Sequence, residues 1–207
     1  MPAAPIVAID PQHPQPRLIE RAVQTLSSGG LVAFPTDTYY GIGCDLFDKR
    51  AIERIYQLKQ LPKTHELSFI CADMAEVSRY AIVDNAAYRV LRRKTPGPFT
   101  FVLPATRLVP DLVLRRQKTV GVRVPDSPIA LALVRQLAHP LISTSAATPV
   151  GDVLIDAKDI KEQLGHGLEL ILDGGYKPNE PSSVIDLTGP EPVVVRQGKG
   201  DTSDLFM

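Results

Sequence analysis

Between Pro35 and Cys44, the residues Thr36, Asp37, Thr38, Tyr39 and Tyr40 place four hydroxyls and a carboxylate in five consecutive positions, followed by Gly41 and Gly43. Such crowding suits a small polar ligand, with the glycines allowing close backbone approach. It suits equally a polar turn closed by an Asx-type hydrogen bond from Asp37. Similar side chains recur where other apolar runs end, at Arg123 before Pro125 and at Ser143 and Ser145, and Ser182 and Ser183 begin a late strand. Lys59 stands at the exit of an apolar-striped segment. No histidine lies near a serine in a nucleophile–base pattern, and hydroxyls combined with lysine and arginine fit phosphate or carboxylate binding better than acyl transfer. A Walker loop and a dinucleotide fingerprint are absent, and Gly41-Ile42-Gly43 is too short to count as either.

These positions are carried by alternating elements. Leu31 to Phe34 is an unbroken apolar run, the pattern of a strand covered on both faces, and Pro35 ends it. Before it, Ile6 to Ile9 reads as a strand, and Leu18, Ile19, Ala22, Val23 and Leu26 recur at helical spacing until Gly29-Gly30. After the polar loop, Asp48 caps a helix with a stripe of Ile52, Ile55, Tyr56 and Leu58 that ends before Pro62, and its exit delivers Lys59. Leu67 to Ala72 is a strand, Asp73 and Glu76 resemble a capping box for a helix to Tyr80, and Asp84 opens another helix. Phe99 to Leu103 and Thr119 to Val124 are strands, Ser127-Pro128 starts a helix, and Leu141 to Ser145 is a strand. Asp156 to Leu164 reads as helix, and Leu168 to Leu172, Ser183 to Leu187 and Val193 to Arg196 read as strands. Strands and helices alternate irregularly, so an α/β fold with a twisted mixed sheet surrounded by helices is expected.

With 207 residues, 44% of them hydrophobic, the chain can build a substantial core as one domain over 1–207. Its 23 basic and 23 acidic side chains balance, which argues against a generally polycationic nucleic-acid binder. Local basic clusters remain: Arg89, Arg92, Arg93 and Lys94 on one helix, and Arg115, Arg116 and Lys118 before a strand. They fit a solvated face or a surface that attracts RNA without sequence preference. Cys44 and Cys71 are the only cysteines and the four histidines are scattered, so neither a disulfide framework nor a metal centre is expected. The amino terminus shows neither a basic leader nor an apolar run of membrane-spanning length, leading to the expectation of a cytoplasmic protein. No apolar surface helix asks for a partner, so a monomer is expected.

Taken together, Pro35-Thr36-Asp37-Thr38-Tyr39-Tyr40-Gly41-Ile42-Gly43, Ile55-Tyr56-Gln57-Leu58-Lys59, Pro96-Gly97-Pro98-Phe99, Val120-Gly121-Val122-Arg123-Val124-Pro125 and Ser143-Thr144-Ser145-Ala146 resemble the YrdC-like superfamily of threonylcarbamoyl-AMP synthases. The resemblance runs in the same order over residues 15–200. It implies a YrdC/RibB-like sheet around a large concave basic cavity. It also implies condensation of L-threonine, bicarbonate and ATP, with Mg²⁺ on the phosphates and no permanent cofactor, to threonylcarbamoyl-AMP and pyrophosphate for tRNA modification. By the same resemblance Thr36, Thr38 and Tyr40 line the threonine pocket and Arg123 helps to hold the amino acid. Lys59 meets the phosphates, Ser143 and Ser145 bind near the triphosphate and adenosine, and Ser183 and Arg196 line the nucleotide side.

Two departures stand out. Where the synthases carry Lys-x-Arg and Ser-x-Asn, this chain reads Lys59-Gln60-Leu61 and Ser145-Ala146-Ala147. A charge-assisted hydrogen bond contributes roughly 1.5–3 kcal/mol, so loss of the arginine alone implies a rate lower by about one to two decades. This pattern, with Asp84-Asn85 and the ending Val193-Val194-Val195-Arg196-Gln197-Gly198, is similar to the YciO branch. The alternative implied by the superfamily is a non-catalytic protein that binds double-stranded RNA or tRNA on the same fold.

Overall fold

In the computed structural model, which describes residues 3–62, 65, 67–114 and 117–205, ten strands form one mixed sheet. In chain order the elements are β1 (Ile6–Ala8), α1 (Pro16–Ser27), β2 (Val32–Pro35), β3 (Tyr40–Asp45), α2 (Lys49–Leu58), β4 (Ser68–Ile70), α3 (Met74–Tyr80) and α4 (Asn85–Lys94). There follow β5 (Phe99–Pro104), a 3₁₀ turn (Asp111–Val113), β6 (Thr119–Arg123), α5 (Pro128–Leu137), β7 (Leu141–Ser145), α6 (Ala157–Leu164), β8 (Leu170–Asp173), β9 (Ser183–Asp186) and β10 (Val193–Arg196). The strand order is β1-β8-β2-β3-β7-β4-β6-β5-β9-β10. β1, β8 and β2 pair in parallel, as do β4 with β6 and β5 with β9, while the hairpins β2–β3 and β9–β10 are antiparallel.

Helix starts follow local chemistry. Asp48, Asp73, Asp84 and Asp156 each accept a backbone N–H of the first turn, satisfying groups that no helical partner reaches. The Asp73 cap differs from a reciprocal box. Glu76 reaches back to the N–H of Ala72, at 2.6 Å, rather than to that of Asp73.

Period-two alternation sorts the strands into two apolar layers. Val32, Phe34, Ile70, Leu141, Leu170 and Leu172 pack with α1 and α5. Ala33, Ile42, Phe69, Phe101, Val122 and Ile142 pack on the other side with the buried residues of α2, α3, α4 and α6. Ile142, Phe69, Val122, Phe101 and Ile185 form one continuous cross-strand row of that second layer. Each such buried side chain contributes roughly 1.5–3 kcal/mol. The first layer covers only part of its face. Beyond Leu141 and Ile70 the same face, across β7, β4, β6, β5 and β9, lines a cavity with Ser143, Ser68, Arg123, Val102 and Asp186.

One correction concerns the glycine-rich stretch after the polar turn. It is a strand, not a loop: β3 pairs with β2 through Phe34↔Gly41 and with β7 through Gly41↔Ser145 and Gly43↔Ser143. Tyr40, Ile42 and Cys44 face the core, and the intervening positions have no room for a side chain. A Cβ at Gly41 would come within 2.9 Å of the Ser143 hydroxyl, and one at Gly43 within 2.9 Å of the Phe34 ring. At both positions glycine allows the close approach of side chains from neighbouring strands, and Gly41 also lines the cavity.

Candidate functional site

The open face of the sheet is the floor of a cavity of about 680 Å³, within the range of small-molecule sites. Its lining reads off the alternation: Ser68 and Ile70 on β4, Thr100 and Val102 on β5, Arg123 on β6, Ser143 and Ser145 on β7, Val184 and Asp186 on β9. One row across the strands runs Ser143, Ser68, Gly121, Val102, Asp186, each paired with the next. It is the one-residue offset of the apolar row beneath it. Thr36 and Tyr39 close one end from the β2–β3 turn, and Val195 and Arg196 close the other from β10.

Arg123 spans the first end. Its Nη2 donates to Asp37 Oδ1 at 2.6 Å and to Thr38 Oγ1 at 3.3 Å. Thr38 and Thr36 hydroxyls lie 3.0 Å apart, and Thr36 donates onward to the Tyr39 carbonyl at 2.7 Å. The second Asp37 oxygen accepts the N–H of Asp126, and the Asp37 carbonyl accepts from Lys199 Nζ. Thus the cation expected to meet a ligand carboxylate is held by a carboxylate of the chain itself. A buried guanidinium needs such a partner. Its Nε is buried with no hydrogen-bond partner among the described residues, although Arg123 lines the cavity.

Lys59 approaches from behind the wall. It is 3% exposed, and its Nζ donates to the Ser145 carbonyl at 2.5 Å and to the Thr144 and Ser145 hydroxyls at 3.3 Å. No carboxylate among the described residues pairs with it. Burial alone lowers its pKa from 10.5 to about 8. The ammonium sits directly beneath hydroxyls that line the cavity, with Ser143 beside them.

Two expected residues face elsewhere. Tyr40 is fully buried on the opposite side of the sheet: its hydroxyl lies 2.8 Å from the Gly175 carbonyl and accepts the Gly174 N–H at 3.2 Å. As the residue between Tyr39 and Gly41 on β3, it must point away from the cavity those two line. Burial raises its phenol pKa far above the usual value, and the carboxylate of Asp173 adds to this. Ser183 is likewise turned inward, donating to the Gly200 carbonyl at 2.6 Å. Its neighbour Ser182 lines the cavity instead, bonded to Thr100 at 2.9 Å. Thr38 is wholly buried and contributes through Arg123 and Thr36 rather than through the lining. Arg196 does line the cavity, with its guanidinium on the Ser182 carbonyl at 2.9 and 3.1 Å.

Sequence reading passed over Ser68, Thr100 and Asp186. The available signal was small or polar side chains between large apolar ones, as in Phe99-Thr100-Phe101, within runs read as simple strands. The described members of the basic clusters do not line the cavity. Arg89, Arg92 and Arg93 are exposed on α4, whereas Lys94 is engaged by the Asp204 carboxylate and sits 5.3 Å from the Phe99 ring. Lys118 is exposed, and Arg115 and Arg116 lie outside the described residues. Among the described residues no group of three or more His, Cys, Asp or Glu side chains converges on a metal position, and no helix is long and apolar enough to cross a membrane.

Known proteins are similar to this chain along nearly its whole length. YciO of Escherichia coli K12 is 45% identical over 195 residues, 93% of this chain and 95% of its own. The crystal structure of E. coli YciO superposes with a TM-score of 0.93 over 98% of this chain and 99% of that one. A threonylcarbamoyl-AMP synthase of Chromobacterium violaceum is 37% identical over 179 residues, covering 86% of this chain and 92% of the enzyme. The crystal structure of P. abyssi Sua5 complexed with L-threonine matches with a TM-score of 0.88 at 32% identity, over 94% of this chain and 58% of Sua5. Residues 24–198 match the Sua5/YciO/YrdC family, described as "Telomere recombination". With the family pattern spanning most of the chain and the fold shared with its solved members, the protein belongs to the Sua5/YciO/YrdC family.

Proposed function

We propose that the cavity binds ATP, L-threonine and bicarbonate and forms threonylcarbamoyl-AMP with release of pyrophosphate, at a rate below that of the synthases that carry both motifs. The observation that carries this reading is the Lys59 arrangement: a buried ammonium with no carboxylate partner, set directly behind a wall of hydroxyls. That wall attracts an anion, and phosphate oxygens accept from such donors. The likeness to a threonylcarbamoyl-AMP synthase and to a Sua5 solved with L-threonine supports the same reading.

The reaction asks mainly for positioning and charge compensation. The neutral amine of threonine takes up CO₂ derived from bicarbonate, a carbamate oxygen attacks the α-phosphorus, and the bond to pyrophosphate breaks. Ser143, Ser145 and Lys59 would hold the polyphosphate, and Thr36 with Arg123 the amino acid. Among the described residues the lining is rich in hydroxyls and carries one carboxylate, Asp186, so it fits phosphate oxygens rather than a resident metal ion. Mg²⁺ would enter with ATP as part of the substrate. Leu61 and Ala147 stand where an arginine and an asparagine would add further donors, which accounts for the lower rate.

Incubation with L-threonine, bicarbonate, Mg²⁺ and α-labelled ATP, followed by chromatography, tests the reading. Threonylcarbamoyl-AMP should form and should vanish in Lys59→Ala. Absence of product at high protein concentration, with binding of double-stranded RNA that weakens steeply with salt, would replace this reading by the RNA-binding one.

A further inference from the structure

Asp186 is the one carboxylate among the described residues that line the cavity. Its Oδ1 accepts both the N–H and the hydroxyl of Thr188, at 2.8 and 2.6 Å, which fixes the side chain. Oδ2 has no hydrogen bond or cation among the described residues, although Arg196 stands across from Val184, two positions away on the same face. An acceptor held in place with one oxygen toward the cavity can take a donor from a ligand there.

The surroundings select the donor. Val102 is the cross-strand neighbour of Asp186, Val184 precedes it by two residues, and Val195 lines the same corner, so the carboxylate projects from an apolar shelf. The phosphate-binding hydroxyls of β7 lie four strands away along the row Asp186, Val102, Gly121, Ser68, Ser143. At a strand spacing of about 4.8 Å this is about 19 Å along the sheet. A carboxylate repels polyphosphate and accepts from neutral hydroxyls, while valine side chains pack against a flat base.

We propose that Asp186 recognises the sugar of the nucleotide: Oδ2 accepts from the vicinal 2′- and 3′-hydroxyls, the base lies on Val102, Val184 and Val195, and the charge of Asp186 directs the polyphosphate toward Ser143, Ser145 and Lys59. This role rests on the nucleotide reading above and adds to it the residue that sets the direction of binding and the preference for a ribose.

The test is calorimetric titration of the full chain and of Asp186→Asn with Mg²⁺-ATP and with Mg²⁺-2′,3′-dideoxy-ATP. Asparagine keeps an oxygen for Thr188, and an unchanged melting temperature verifies the fold. The unaltered chain should bind ATP about 10- to 100-fold more tightly than the dideoxy analogue, as expected for hydrogen bonds to a charged acceptor. Asp186→Asn should shrink this preference below about threefold and leave affinity for the analogue nearly unchanged. Equal binding of both nucleotides by the unaltered chain, or equal weakening of both in the variant, would overturn the sugar role and leave nucleotide binding standing. A variant that keeps the ATP preference but loses affinity for L-threonine would transfer Asp186 to the ammonium group and overturn the proposal. An unaltered chain that binds neither nucleotide overturns the nucleotide reading and this role with it.

Discussion

Arg123 and Asp37 join the last residue of β6 to the β2–β3 turn by an ion pair of 2.6 Å, with side chains only 11% and 8% exposed. The pair ties the turn that carries Thr36 and Tyr39 to the cavity floor, where Arg123 still lines the cavity.

Removing one partner of this pair strands the other charge in a buried setting. Asp37→Asn and Arg123→Met should each destabilise the protein by about 3 kcal/mol in urea unfolding, and the double variant by clearly less than the sum. Both single variants should also lose turnover, because Thr38 and Thr36 depend on the Arg123 guanidinium for their orientation.

Lys59 sets a pH dependence of stability. Its pKa is 10.5 when unperturbed and about 8 in the folded state, because burial disfavours the ammonium. Below about pH 8 both states hold the proton and the cost of burying charge is complete, about 3 kcal/mol. Between about 8 and 10.5 the unfolded chain binds a proton that the folded chain has released, so this cost fades and stability rises with pH. Lys59→Met should therefore be more stable than the unaltered chain at pH 7, by about 1–3 kcal/mol. The difference should close as urea unfolding is repeated toward pH 10, and the variant should bind no ATP.

Tyr40 is a tie within the protein and not part of the pocket. Tyr40→Phe leaves the Gly175 carbonyl and the Gly174 N–H without their partner and should cost about 1–2 kcal/mol of stability. Affinity for L-threonine, measured by calorimetry, should stay within about twofold. A large loss of that affinity at unchanged stability would return the phenol to the site.

Leu61 tests the missing half of the first motif. The left-handed Gln60, with φ 49°, and the bond from Leu61 N–H to the Tyr56 carbonyl hold the chain in a tight turn just beyond Lys59. Leu61→Arg places a second cation on that turn, and threonylcarbamoyl-AMP formation should rise about tenfold or more in the labelled-ATP assay.

Local chemistry in the sequence was sufficient for the helices, since Asp48, Asp73, Asp84 and Ser127 cap them through neighbours three residues away. It was sufficient also for the apolar strands and the mixed sheet, because alternation and turn residues are properties of short segments. The family motifs marked the turn at 36–38, Arg123, Ser143 and Ser145 as one group. What the sequence alone could not determine was facing and partnership. β3 looked like a loop because its glycines make sense only against Phe34 and Ser143 on neighbouring strands. Tyr40 and Ser183 were assigned to the cavity although a one-residue offset turns them to the other side of the sheet, where Gly175 and Gly200 take their hydroxyls. Arg123 meets Asp37, and Lys59 meets Thr144 and Ser145, across 86, 85 and 86 residues of chain. Strand register and these long-range pairings arise only when the sheet assembles, so the tertiary structure decided which side chains share the cavity.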